Sequence, residues 1–192
     1  MLVLYPVAVL TSFLSGGFKQ SITLLFLGFW YNDCGGADRN CVLRNLINGA
    51  GFICYTSGAM EVAYGSTVPL NGPLLRWFAI IGTTVASTVQ TQDMYDQAGD
   101  SVRHRQTVPL VLGDAMSRWT IAVPVVIWSC VCPWLWGCGY GYIAPISLGS
   151  MITYRVLAKR SVVEDKMTFR VWNAWMIAVY LLPLIRFTRP AS

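Results

Sequence analysis

Seven apolar segments divide the chain, and short polar clusters separate them. The segments are Leu2–Leu14, Phe18–Tyr31, Cys41–Ala63, Leu74–Gln90, Pro109–Cys132, Tyr142–Leu157 and Thr168–Leu184. Several approach the 20 or so residues that a helix needs to cross a hydrocarbon core. The first two are short for full crossings, so they imply tilted helices, a thinned bilayer or one broken span. Gly49, Gly51 and Gly58, with Ala50 and Ala59, predict close helix packing along the third. The pattern predicts an all-α fold: a polytopic transmembrane bundle of about seven helices, forming one membrane-embedded domain over residues 1–192. There is no repeat, low-complexity tract or soluble domain.

Composition supports that class. Of the 192 residues only 12% are charged, and mean hydropathy is +0.51. A soluble domain of this length carries about twice that charge fraction. The net charge of +5 is spread between the segments with no long basic run, which argues against a nucleic-acid partner and for the lipid bilayer as surroundings. Arg39, Arg103, Arg105, Lys159, Arg160 and Lys166 lie in alternate loops. If every segment crosses, those loops share the cytoplasmic side, as the positive-inside bias requires. The expected localisation is therefore integral and multi-pass, in an internal membrane if the cell is eukaryotic. Met1 opens directly on an apolar run with no positive n-region, so no cleavable signal is expected. The six cysteines fit no zinc spacing. Cys132 and Cys138 flank a short loop and could pair if it faces an oxidising lumen.

The polar cluster with the most chemistry is Thr91–Gly113, TQDMYDQAGDSVRHRQTVPLVLG. Asp93, Asp96 and Asp100 are three of the chain's nine acids. In a helix over Gln92–Arg103 they fall at i, i+3 and i+7, on one face. Crowded carboxylates repel unless they share a cation. Oxygen-only ligands beside basic residues suit Mg²⁺, which commonly completes its shell with water and substrate phosphates. Arg103 and Arg105 are the candidates for holding phosphate oxygens. A solvated helix end is the plain alternative, but acids at a bilayer edge are expensive and tend to be functional.

Other polar positions gather near this stretch only if the segments alternate. Asp33 and Asp38, in NDCGGADRN, read first as ordinary turn chemistry and second as a further metal motif. Arg44 and Asn45 lie on one side of the third segment's first turns. With Tyr95 and the two loop acids they are candidates for a cavity mouth. Trp30, Tyr31 and Tyr95 are the aromatics nearest the polar loops, where an interface belt is an equal alternative. Asp114 and Arg118 are an i, i+4 pair expected to satisfy each other, with substrate contact as the other option.

The run DMYDQAGDSVRHRQTVPLVLG resembles the second Asp-rich motif of the UbiA superfamily of membrane prenyltransferases. Asp96 and Asp100 match its DxxxD and Asp93 the preceding acid. Arg103 and Arg105 match its basic linker, and Thr107 and Pro109 its entry into the next helix. Trp30–Asp33 and Arg44–Phe52 are similar to the loop and fifth-helix start of fungal members, which include UbiA-type terpene cyclases. The resemblance implies nine helices around a cavity, with two Asp-rich motifs binding Mg²⁺ and an isoprenyl diphosphate at the cytoplasmic end. It implies ionisation of the allylic diphosphate, then capture of the carbocation by a small-molecule acceptor or closure on itself. The first Asp-rich motif has no counterpart here. The chain therefore reads as helices three to nine of that fold, incomplete at its N-terminus.

Prenyl transfer from an allylic isoprenyl diphosphate is the leading expectation. Cyclisation of farnesyl or geranylgeranyl diphosphate is the alternative within the enzyme class. A non-catalytic membrane bundle is the alternative outside it.

Overall fold

The computed structural model describes residues 4–65, 71–137 and 139–183. Among them, every regular element is helical, as the apolar pattern predicts. They fall into two compact units, residues 1–86 and 87–192 over the chain.

In the first unit, α1 is Leu4–Ser15, α2 Phe18–Asn32 and α3 Cys41–Tyr64, while most of α4 (Gly72–Thr88) completes it. Asn40 caps α3: its side chain accepts from the N–H groups of Val42 and Leu43, at 2.8 and 3.3 Å. These would otherwise be orphan donors at the helix start. Gly65, at φ 68°, ends the same helix in the left-handed conformation that glycine tolerates best. The close packing expected along α3 is real at Gly49. A Cβ there would lie 2.6 Å from the Gly82 carbonyl oxygen of α4. Gly49→Val should therefore cost about 1–3 kcal/mol through overpacking, read as a lowered unfolding temperature in detergent. Unchanged stability would mean α3 and α4 can separate without loss.

The second unit follows with a 3₁₀ turn at Val89–Gln92, then α5 (Gln97–Val102), α6 (Val108–Leu112), α7 (Asp114–Trp136), α8 (Ile143–Ala158) and α9 (Val162–Tyr180). Its buried core joins Ile121 and Val125 of α7, Ile152 and Val156 of α8, and Trp172, Trp175 and Val179 of α9. Each of three indoles finds a hydroxyl acceptor: Trp128 on Ser87, Trp172 on Thr88 and Trp175 on Ser129, at 2.9–3.0 Å. That satisfies the polar edge of a ring buried for its apolar area. Pro124 inside α7 cannot donate to the Thr120 carbonyl four residues back. Gln90 replaces the missing donor, its Nε2 reaching that oxygen at 3.2 Å.

Three expected boundaries move. The segment predicted to run unbroken from Pro109 is divided at Gly113, whose φ of 79° lies outside the helical region. At its far end, α7 runs on to Trp136, through Pro133, and stops at Gly137 in the left-handed conformation. The predicted charged loop Lys159–Lys166 is mostly helix. Ser161 caps α9 by accepting from the Glu164 N–H at 3.3 Å, and Glu164 and Asp165 sit in its first turn, where acids favour the helix dipole. The S-x-x-E spacing is the N-terminal signal for this start. The proposed Cys132–Cys138 pairing falls on Cys138, which lies outside the described residues.

Among the described residues, α7 is the one helix long and apolar enough to cross a membrane by length and composition. α1, α2, α4 and α8 have 12, 15, 17 and 16 residues, below the length that reaches across a hydrocarbon core upright.

Candidate functional site

The acidic stretch lies in the second unit, and its three aspartates do not share one helical face. Asp93 ends the 3₁₀ turn, with its N–H on the Gln90 carbonyl at 3.0 Å. A turn follows, closed by the Asp96 N–H on the Asp93 carbonyl at 3.3 Å. The α-helix begins only after Asp96, which occupies the N-cap with φ −109° and ψ 15°. The i, i+3, i+7 arrangement expected of a helix from Gln92 to Arg103 is thus replaced by turn, cap and first-turn positions. Asp96 makes no side-chain capping bond, and the break agrees with the weak preference of aspartate for helix interiors.

Burial differs sharply among the three. Asp93 and Asp100 are 2% and 1% exposed, while Asp96 is open to solvent. Asp96 folds its carboxylate over the first turn, where a Cβ on Gly99 would lie 2.7 Å from its Oδ1. Asp100 accepts from Arg105 Nη1 on Oδ1 at 3.3 Å, and its buried Oδ2 has no hydrogen-bond partner.

The path of the chain after α5 explains that ion pair. Arg103 is the C-cap, and His104 takes a φ of 54°. The His104 N–H then meets the Ser101 carbonyl at 3.1 Å and the Arg105 N–H the Asp100 carbonyl at 3.0 Å. This is the paired closure of a Schellman motif, with histidine where glycine is usual. It returns Arg105 to Asp100 and leaves Arg103 exposed at the helix end. The two arginines thus stand differently: one is engaged with a carboxylate and one faces outward.

Tyr95 sits in the turn between Asp93 and Asp96. Its phenol is pushed above its usual range, first by burial and then by the charges of Asp96, Asp93 and Asp100, so it remains a protonated donor at neutral pH. The ring packs 5.9 Å from Phe169, which stacks on Trp172 at 5.6 Å and 12°. The Lys166 ammonium lies 5.8 Å over the other ring, that of Tyr95, within reach of a cation–π attraction. Sequence reasoning missed Lys166 because it was assigned to the end of a charged loop, and Phe169 because nothing set that position in the seventh segment apart from its apolar neighbours. The capping box at Ser161 would have started α9 early enough to place them at helical spacing.

The remaining candidates belong to the first unit. Asp33 is exposed at the C-cap of α2. Asp38 is half-buried in the turn before α3. Arg44 and Asn45 are 5% and 7% exposed, and the Arg44 guanidinium sits 5.5 Å over the Tyr31 ring. Tyr31 and Arg44 therefore do meet.

Nearer the start of α7, the expected Asp114–Arg118 pair is present and larger than predicted. Arg118 is 1% exposed. It donates to Asp114 twice and to Asp165 twice, all at 2.9 Å. It also reaches the Val156 and Lys159 carbonyls at 2.8 and 3.0 Å, so one guanidinium both bridges two acids and closes the end of α8. All of its donors are used within the protein, which assigns it to structure.

A Mg²⁺ ion fits the chemistry of the acidic stretch in part. The donors are hard oxygens, and Asp100 keeps one buried carboxylate oxygen unmatched, a demand that a cation satisfies. Among the described residues, however, no three His, Cys, Asp or Glu side chains are already gathered around a common point.

No family model and no solved structure match the chain. Curated proteins do. It is 30% identical over 126 residues to the fumagillin β-trans-bergamotene synthase of Aspergillus fumigatus, covering 66% of this chain and 42% of that protein. It is 25% identical over 150 residues to the somaliensene A/B synthase of Streptomyces somaliensis, covering 73% and 48%. A diterpene cyclase of Hericium erinaceus is 27% identical over 134 residues, covering 65% and 42%. The chain spans less than half the length of these relatives. Its distant relatives are thus terpene synthases and cyclases.

Proposed function

We propose that the chain is part of a UbiA-type, multi-pass membrane terpene cyclase acting on farnesyl or geranylgeranyl diphosphate. The observation that carries this reading is the buried Asp100, with one oxygen on Arg105 and one unmatched, in a chain whose relatives are named for terpene products. Between the two enzyme readings drawn from the sequence, those relatives favour cyclisation over transfer to an acceptor. The bilayer placement rests on the apolar segments and on α7.

In this reading the allylic carbon–oxygen bond breaks and its electron pair leaves with the diphosphate. The carbocation is attacked by a double bond of the same molecule, and loss of a proton ends the reaction. Asp100, with Asp93 and Asp96 drawn towards it, would hold Mg²⁺, which when bound supplies Lewis-acid stabilisation to the departing oxygens. Arg103, exposed at the end of α5, binds phosphate oxygens through its planar fork of donors. Arg105 fixes the Asp100 carboxylate from one side. Tyr95 stays protonated and can donate to a phosphate oxygen.

Product analysis tests the reading. Membranes bearing the protein are given farnesyl or geranylgeranyl diphosphate, with and without an aromatic acceptor. Cyclic hydrocarbon and free diphosphate should form without acceptor. Product formed only in the acceptor's presence would return the assignment to prenyl transfer. Arg103→Ala should raise KM for the diphosphate about tenfold, the worth of one charge-assisted contact. An unchanged KM would make Arg103 a solvated end-of-helix charge.

A further inference from the structure

One cation beside the acidic stretch is unused by the chemistry just described. Lys166 lies on α9, and its ammonium rests 5.8 Å over the ring of Tyr95. Tyr95 precedes Asp96 in the turn that follows Asp93. The first turns of α9 are pinned on either side of this contact. Glu164 takes Arg155 Nη2 at 2.6 Å, and Asp165 takes two bonds from Arg118 at 2.9 Å. Phe169, three residues beyond Lys166, packs against the same tyrosine at 5.9 Å. Residues three apart share a helix face, so one face of α9 brings both a ring and a charge to the acidic turn.

The neighbouring cations are already engaged. Arg105 is paired with Asp100, Arg118 with two acids, and Arg155 with Glu164. Lys166 differs from them. It is exposed to solvent, and among the described residues its ammonium takes part in no ion pair or hydrogen bond. The acids beside it on α9 are held by Arg155 and Arg118. Its three N–H donors therefore remain available. The attraction of an exposed ammonium to a ring face is weak, whereas a hydrogen bond between two charged partners is among the stronger ones.

We propose that Lys166 is a further diphosphate-binding residue, moving from the Tyr95 ring to a phosphate oxygen when Mg²⁺ and diphosphate occupy the acidic stretch. Its flexible four-carbon stem permits that movement. The anion is then held by cations from two elements, Arg103 at the end of α5 and Lys166 on α9. This inference rests on the diphosphate reading given above.

The test is calorimetric titration of the purified full chain in detergent, first with Mg²⁺ alone and then with inorganic diphosphate in the presence of Mg²⁺. Lys166→Met keeps an apolar stem and removes the charge. Its Kd for diphosphate should rise about tenfold, the worth of one charge-assisted contact. Mg²⁺ alone should bind at least as tightly as before, because a cation near carboxylates opposes the arrival of another. Lys166→Arg should restore most of the diphosphate affinity. A merely structural lysine would weaken both titrations together, and that result would overturn the proposal. Undiminished diphosphate binding by Lys166→Met would also overturn it, while leaving the diphosphate reading in place. If the unsubstituted protein fails to bind diphosphate with Mg²⁺, both fall.

Discussion

Arg118→Ala is expected to destabilise the protein by about 3–5 kcal/mol, the cost of breaking a buried ion pair from one side. The size follows from what is left behind. Asp165, 3% exposed, would lose both bonds that neutralise it, and the Val156 and Lys159 carbonyls at the end of α8 would lose their donor. Arg118→Lys should recover little. A single ammonium cannot serve two carboxylates and two carbonyls in the geometry of a planar fork. Thermal unfolding in detergent, followed by near-ultraviolet circular dichroism, provides the measurement. A loss under about 1 kcal/mol, the range of an exposed pair, would mean that the three-way bridge contributes little.

Asp100→Asn should leave the fold intact and lower turnover of the isoprenyl diphosphate by roughly 10²–10³-fold, the scale on which removing one group that stabilises departing charge acts. KM should change far less. The carboxamide keeps the size of the side chain and an oxygen for Arg105, while the net charge and one hard anionic ligand are lost. The contrast with Arg118→Ala is informative: one variant should unfold easily and the other should be stable and slow. A variant that is stable and fully active would remove Asp100 from the site.

The helices were largely legible because their signal is apolar length. The seven apolar segments became α1–α4, α6 with α7, α8 and α9. Their ends were less so, because single residues decide them. Gly113 interrupts a run whose hydropathy does not change there, since the interruption lies in backbone conformation. The start of α9 was hidden by the charges that stabilise it. Glu164 and Asp165 resemble loop residues by composition, yet acids belong in a first helical turn. Asp165 could not be assigned to Arg118 in advance, since the two are 47 residues apart and only the antiparallel packing of α7, α8 and α9 brings them together.

The site was legible as residue types and not as geometry. Helical spacing put Asp93, Asp96 and Asp100 on one face, but the chain turns between Asp93 and Asp96, and the helix begins only after Asp96, which makes no side-chain capping bond. Arg103 and Arg105 were equivalent on paper. The left-handed His104 separates them, directing one to Asp100 and the other outward. That reversal is hard to anticipate from a sequence in which glycine, the usual signal, is missing.

The central claim is that the acidic stretch binds a divalent cation and a diphosphate together. Calorimetric titration of inorganic diphosphate into the purified chain, with Mg²⁺ and then with chelator, measures it without requiring turnover. Binding should need Mg²⁺ and should be lost in Asp100→Asn. Equal binding with and without the metal, or undiminished binding in the variant, would contradict it.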